Sequence, residues 1–345
     1  SKKIYNAQSF QIESSDFGTW QMQTIMQVQY SNDDYRFSPL CLVNTSHNAR
    51  VCAEDTGKAI AINGSNFPLL LLEPWLNNAG KEFTYKGNAS MSGELPKDFS
   101  LAGTGFVNLQ VPSLQIGVKS DVANEVARID SLNLHIKWLG NNINGKIRAE
   151  LKQDGFIEGE INTGATPKSE LTGRLKIQIY NLSWLELFSL DISQPKGEIT
   201  GEVELSGTRG EPLINGSYNV KDLSFQIPAL GLKMSEGQIT AKSHDNLAML
   251  VKGSIKSGEG NMLITGLWDP ADQLPQPINL RMRAKEFTVA DTPDMQLVAN
   301  SDVILTYEQG IYSLDGSLDL LKGLINLESI ETAISISNDV VVVDP

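Results

Sequence analysis

Alternation with a period of two runs through most of this chain and restricts its fold more than any other feature. In the stretch GEITGEVELSG, Ile199, Gly201, Val203 and Leu205 fall on one side, and Glu198, Thr200, Glu202 and Glu204 on the other. Successive side chains of a strand point to opposite faces, so this is a strand with one dry and one wet face. GNMLITGLW repeats the pattern through Met262 and Ile264, INLRMRAKEFTV through Ile278, Leu280, Met282 and Ala284, and the following segment through Val303, Leu305 and Tyr307. Turn signals punctuate it: Asn-Gly at Asn63, Asn144 and Asn215, Asp-Gly at Asp154 and Asp315, and Ser-Gly-Glu-Gly at Ser257. Short alternating runs with regular turns predict an all-β fold.

Two short apolar segments interrupt the strands, FPLLLLEPWLNNAG at 67–80 and NLSWLELFSL at 181–190. Each reads as a short helix needing cover on most sides. Each also opens a recurring order. Gly87, Gly93, Gly103 and Val-Pro-x-Leu at Val111–Leu114 follow the first; Gly201, Gly207, Gly216 and Ile-Pro-x-Leu at Ile227–Leu230 follow the second. Repetition at a fixed offset signals stacked modules. The expected organisation is therefore upstream strands over 1–66, one module over 67–180 and a second over 181–345.

About 25–30 short strands spaced roughly 4.8 Å apart would extend on the order of 100 Å, and a twisted sheet of that size has to curl, close or divide. Curling the apolar faces inward gives an elongated groove; a filled sandwich would alternate in the same way. The modular extension and the low aromatic content, 7%, favour the groove.

The net charge of −13 excludes a basic nucleic-acid surface. No stretch reaches the about 20 apolar residues of a membrane span. The start at Ser1, without methionine or leader, reads as a mature chain or an excised fragment, and for a fragment a targeting or anchoring segment could lie upstream.

Chemistry is hard to find. His47, His135 and His244 lack partners at metal-ligand spacing, and neither a His-Glu-x-x-His nor a Gly-x-Ser-x-Gly motif occurs. Asp269, Asp272, Asp291 and Asp294 depart from the calcium-loop spacing and read as turn residues. No catalytic residue, metal or cofactor is expected, and the chain reads as non-enzymatic. The two cysteines, Cys41 and Cys52, suit either a link across neighbouring strands or a pair of free thiols.

The ordered pieces GEITGEVELSGTRGEPLINGSYNV, FQIPALGLKMSEGQIT, IKSGEGNMLITG and the closing ISNDVVVVDP resemble the region just before the C-terminal domain of TamB proteins, the inner-membrane component of the translocation and assembly module. Upstream, CLVN…VC, FPLLLLEPWL and SMSGELPKDFSLAGTGFV are similar to earlier modules of that family, and the likeness is firmest after about residue 170. The resemblance implies a rolled β-sheet, or β-taco, in a Gram-negative periplasm, with kinship to AsmA-like and bridge-like lipid transfer proteins. It favours a Cys41–Cys52 disulfide, because the periplasm is oxidising. It implies a TamA-like outer-membrane barrel as partner, contacted outside this chain.

The function expected on this basis is a conduit for phospholipid acyl chains between the inner and outer membranes. Its lining is expected at Val203, Leu205, Phe225, Ile227, Ile239, Val251, Met262, Ile264, Leu280, Met282, Val303 and Leu305. The same residues could instead fill a packed core, and the two short helices could gate the groove or cap module ends. The alternative function is a chaperone that receives strands of outer-membrane β-barrel and autotransporter clients by β-augmentation along an open seam.

Overall fold

A computed structural model describes residues 3–14, 18–31, 34–72, 83–101, 103–118, 126–151, 154–187, 191–244, 248–269, 277–308 and 311–326. The chain is all-β. Nineteen strands form one antiparallel sheet that is not closed, consistent with a long rolled sheet. Two compact units divide it. One holds the described residues up to 187 together with 198–218; the other holds 191–197 and those from 219 to 326. The division runs through two long strands.

In chain order the first unit contains β1 (Lys3–Ala7), β2 (Gln11–Ser14), β3 (Gly18–Met22), β4 (Met26–Ser31), β5 (Asp34–Phe37), β6 (Leu40–Asn44), β7 (Ala49–Asp55), β8 (Ala59–Pro68), β9 (Phe83–Lys86), β10 (Asn88–Pro96), β11 (Thr104–Val111), β12 (Leu114–Val118), β13 (Val126–Ile129), β14 (Ser131–Leu139), β15 (Asn142–Glu150), β16 (Gly155–Gly164) and β17 (Thr172–Ile179). The shared strands are β18 (Ser193–Gly207) and β19 (Pro212–Ile227). The second unit continues with β20 (Leu232–Ser243), β21 (Met249–Ser257), β22 (Gly260–Trp268), β23 (Ile278–Asp291), β24 (Met295–Glu308) and β25 (Ile311–Ile325).

In the first unit the main ladder pairs β2, β3, β6, β7, β8, β10, β11, β14, β15, β16, β17 and β18 in succession. Two three-stranded sheets accompany it, β1-β4-β5 and β9-β12-β13. The second of these is a continuation of the ladder around a corner. β9 runs into β10 through Gly87, β11 into β12 through Pro112 and Ser113, and β13 into β14 through Asp130. Gly87 has φ +142°, and a Cβ there would stand 2.2 Å from the Ser113 carbonyl oxygen, so the corner accepts only glycine. Inside it Leu69, Ala89, Val111 and Leu114 are buried, with Tyr85, Leu109 and Leu132 packed against them.

The two short helices exist as single 3₁₀ turns, Leu69–Leu72 and Ser183–Leu187. Residues 73–80 and 188–190 of the expected segments lie outside the described residues. Leu69 belongs to the corner core and contacts run from its turn to β9, while the second turn contacts β13. Both thus contact the small sheet.

The sheet β1-β4-β5 is held by a buried charge cluster. The Asp55 side chain is 1% exposed and lies 3.0 Å from Lys97 Nζ and 3.7 Å from the Arg36 guanidinium. Lys97 also donates to the Tyr35 carbonyl at 2.6 Å, and the Tyr35 hydroxyl donates to the Lys97 carbonyl at 2.8 Å. Burial raises the Asp55 pKa, but the Lys97 hydrogen bond and charge and the Gly57 amide outweigh it and leave it below the ordinary 3.8. A lowered carboxylate pKa adds stability that is whole above the unfolded value and is lost as pH falls through the folded one. Lys97→Met is therefore expected to cost about 2 kcal/mol at neutral pH. Its melting-temperature difference from the parent should shrink once the pH drops below 3.8; a difference independent of pH would contradict the pairing.

In the second unit the bend is made by bulges. Asp222, Glu236 and Glu286 all adopt φ near +50°, and the register shifts between Ser235 and Gln238 and between Ala284 and Phe287. The Asn300 side chain accepts from the Glu286 amide at 2.8 Å, satisfying the group the bulge frees. The bent strands enclose Ile255, Ala284 and Phe287, with Leu223, Phe225, Met234, Met262 and Val289 around them. The Ser257 hydroxyl donates to the Thr288 carbonyl at 2.8 Å across this end.

Several sequence-based turns are corrected. Asn63-Gly64, Asn144-Gly145, Asn215-Gly216 and Asp315-Gly316 lie inside β8, β15, β19 and β25, not in hairpins. At Gly216 and Gly316 a Cβ would strike the neighbouring strand's backbone, at 2.2 Å from the Glu202 and Asp302 carbonyl oxygens, and at Gly145 it would crowd Ile161 at 3.0 Å. The β14–β15 hairpin instead turns on Gly140 and Asn141, both with positive φ. The two Pro-x-Leu marks are also unlike: Val111–Leu114 forms the corner, whereas Pro228–Leu230 is a 3₁₀ turn between β19 and β20.

Candidate functional site

The dry face is assembled row by row across paired strands. In the first unit Leu109, Leu134, Ile147, Gly159, Leu175 and Val203 are direct cross-strand neighbours, as are Val107, Ile136, Gly145, Ile161, Gly173 and Leu205. In the second unit one row reads Ile239, Gly253, Ile264, Met282, Val303 and Gly316, and the next Ala241, Val251, Gly266, Leu280, Leu305 and Leu314. These rows contain no charged side chain.

The expected lining residues therefore share faces as the alternation requires. Val203 and Leu205 lie in the first unit's rows, and Ile239, Val251, Ile264, Leu280, Met282, Val303 and Leu305 in the second's. Val203 and Val251 are buried, and the rest of this group is half-buried. Phe225 and Met262 differ: both pack against the enclosed cluster at the bulged end. Ile227 is half-buried at the end of β19.

Exposure varies along the dry face, and Val203 in the same row as Ile147 is only 3% exposed. Ile147 remains 40% exposed and Ile161 37%, values a second packed layer would bring near zero. The burial of Val111 and Leu69 at the corner shows what covered positions look like in the same unit. Glycines level the surface between the large side chains. A Cβ on Gly159 would meet Ile147 at 3.1 Å and Leu175 at 3.4 Å, so both neighbours lean over it. A Cβ on Gly266 would stand 2.0 Å from the Asn279 carbonyl oxygen.

The opposite face is a lattice of paired charges that sequence reasoning did not anticipate. One row runs Asn108, His135, Lys146, Glu160, Arg174 and Glu204; the next runs Gln110, Asn133, Arg148, Glu158, Lys176 and Glu202. Lys146 and Glu160 approach to 3.3 Å, Arg148 and Glu158 to 2.6 Å, and Arg174 pairs with Glu202. Clefts of about 680 and 890 Å³ open among residues drawn mostly from this face. Their acids and bases neutralise one another, so the face offers solvation and not an anion site. The signal was legible in principle, because opposite charges recur at even spacing along β15, β16 and β17.

Cys41 and Cys52 are directly paired across β6 and β7 and joined by a disulfide, with Cα atoms 4.1 Å apart. Among the described residues no three His, Cys, Asp or Glu side chains gather to hold a metal, and no helix is long and apolar enough to cross a membrane.

A family profile described as "TamB, N-terminal domain" matches residues 6–220. The chain is 24% identical over 272 residues to the translocation and assembly module subunit TamB of Haemophilus influenzae, an alignment covering 78% of this chain and 21% of that protein. The chain thus spans about a fifth of that relative's length. No solved structure matches. The profile puts the likeness on an N-terminal domain and on the earlier part of the chain, which corrects the placement just before a C-terminal domain, firmest after residue 170. Glycine and proline marks recur wherever such a sheet turns or bulges, so they identify the architecture better than the position within it.

Proposed function

Because the chain belongs to the TamB family, we propose that its dry face is a segment of a periplasmic conduit that carries phospholipid acyl chains between the inner and outer membranes. The supporting observation is that each unit carries rows of Ile, Leu, Val, Met or glycine without a charged side chain, with paired charges on the reverse in the first unit. An acyl chain in water costs about 0.8 kcal/mol per CH₂, which an apolar face removes while the headgroup stays wet. The role is non-enzymatic: the sheet lowers a solvation barrier and makes no bond. The protein is held at the inner membrane by a segment outside these residues and works with a TamA-like outer-membrane barrel.

A second reading, strand delivery to outer-membrane β-barrels, draws support from β25. Among the described residues it pairs only with β24, and its 15 residues are exposed throughout. Among the described residues its outer backbone groups are therefore left for another strand to pair.

A photo-crosslinker separates the two. Placed at Leu280 in the full-length protein in cells, it is expected to capture diacyl lipid, identified by mass spectrometry. Placed at Leu318 on the edge strand, it reports polypeptide clients. Polypeptide at both positions and lipid at neither would overturn the conduit.

A further inference from the structure

β25 meets β24 along its whole length, from Ile311 beside Glu308 to Ile325 beside Met295, and pairs with no second strand among the described residues. Its dry face stays open: Leu314 is 63% exposed, Leu318 60%, Leu320 56% and Ile325 55%. A long edge of this kind is a template for another strand, and proteins usually guard it with proline, an inward-pointing charge or a short length. β25 runs for 15 residues without a proline. Its charges, Asp315, Asp319 and Lys322, all fall on the wet side, beside Ile304, Asn300 and Val298. No guard stands on the dry side, so the edge suits a covering strand.

The chain itself supplies a matching strand. Asn326 still belongs to the ladder, its amide donating to the Asp294 carbonyl at 2.8 Å. Residues 327–345 lie outside the described residues, and their sequence alternates as the strands do. Ile330, Thr332, Ile334 and Ile336 fall on one side, and Glu331, Ala333, Ser335 and Ser337 on the other. The run is rich in β-branched residues and contains neither glycine nor proline, as a strand prefers. Only Leu327, Glu328 and Ser329 separate it from Asn326, a connection of hairpin length.

Matching dry side to dry side fixes the register. Ile330 falls beside Ile325 and Thr332 beside Gly323. β25 carries one extra residue, Leu321, where its pairing shifts between Val298 and Ala299. Carrying that shift across places Ile334 beside Leu320 and Ile336 beside Leu318. Without it Ile336 would meet Asp319, which lies on the wet side. Beyond Asn338 the match ends, because Asp339 would face Asp315 and like charges directly opposite repel.

We propose that residues 330–338 fold back as the next strand of the sheet on the outer edge of β25. The occupant of that edge is then the chain itself and not a client. This goes beyond the acyl-conduit reading: it carries the dry face one strand further, and a client strand has to displace the segment to reach β25.

The test is a cysteine pair, Leu318→Cys with Ile336→Cys, in the whole chain under mild oxidation. Cys41 and Cys52 are already joined, so the introduced pair supplies the only thiols. Directly opposite residues have Cα atoms about 4.5–5.5 Å apart, within disulfide reach. Peptide mapping by mass spectrometry should find the 318–336 link within one chain. The control pair, Asp319→Cys with Ile336→Cys, is one residue out of step and puts its thiols on opposite faces, so it should link about tenfold less. Adding Ser335→Pro, which a strand interior does not tolerate, should lower the 318–336 yield about tenfold. Equal linking by both pairs would overturn the proposal, since the segment would then hold no register on the edge. Links between two copies, or none, would overturn it as well, because a second copy would hold the edge or nothing would. None of these readouts involves lipid, so failure here is distinct from failure of the conduit.

Discussion

Leu280→Asp is expected to stop acyl-chain transfer while the protein stays folded. Leu280 is half-buried in a row with Gly266 and Leu305, so a carboxylate there keeps water and costs about 1 kcal/mol of stability. A chain sliding past must strip that water from a charge. The penalty of several kcal/mol slows passage on the order of a thousandfold. Met262→Asp makes the contrast. Met262 packs against Ile255, Ala284 and Phe287, and a charge placed among them is expected to cost about 4 kcal/mol of folding stability. Transfer of labelled lipid between vesicles, measured beside urea unfolding, reads both. Normal transfer by a folded Leu280→Asp protein would rule out the row as a path.

Phe287→Ala is expected to lower the unfolding free energy by about 3–5 kcal/mol. The side chain is 3% exposed and sits just beyond the bulge at Glu286, where the strand changes which residues face inward. No other side chain of the enclosed cluster at that end is as deeply buried. Removing the ring leaves a cavity at the point that keeps β23 bent, so the loss should appear as a lowered urea midpoint of the second unit. A loss below about 1 kcal/mol would mean that the bend is held by its bulges alone.

The faces were legible in the sequence where strands run without interruption. Ile264, Met282 and Val303 sit side by side because alternation has only two phases. The bends were not legible. In β23 the inward residues are even-numbered up to Ala284 and odd at Phe287, because the extra residue at the bulge reverses the phase. Nothing in the composition of Lys285-Glu286 announces this. Asn144-Gly145 read as a turn because the dipeptide favours positive φ, and only the cross-strand neighbours reveal that the glycine makes room for Ile161 instead. The corner at Gly87, Pro112 and Asp130 was hidden for a related reason: it is a property of three strands at one level, and each strand alone shows only an ordinary break.

The antiparallel pairing has a thermodynamic corollary. Neighbouring strands run in opposite senses, so their peptide dipoles cancel and the sheet carries no appreciable field along the stacking direction. The rows of Ile, Leu and glycine recur without a gradient in size or charge across β14 to β17. On the proposed path a passenger would diffuse with equal ease either way, as detailed balance demands of a uniform potential. Vectorial flow would therefore have to be imposed at the termini of the path, by a difference in lipid chemical potential or by an energised partner, and the track would set only the rate.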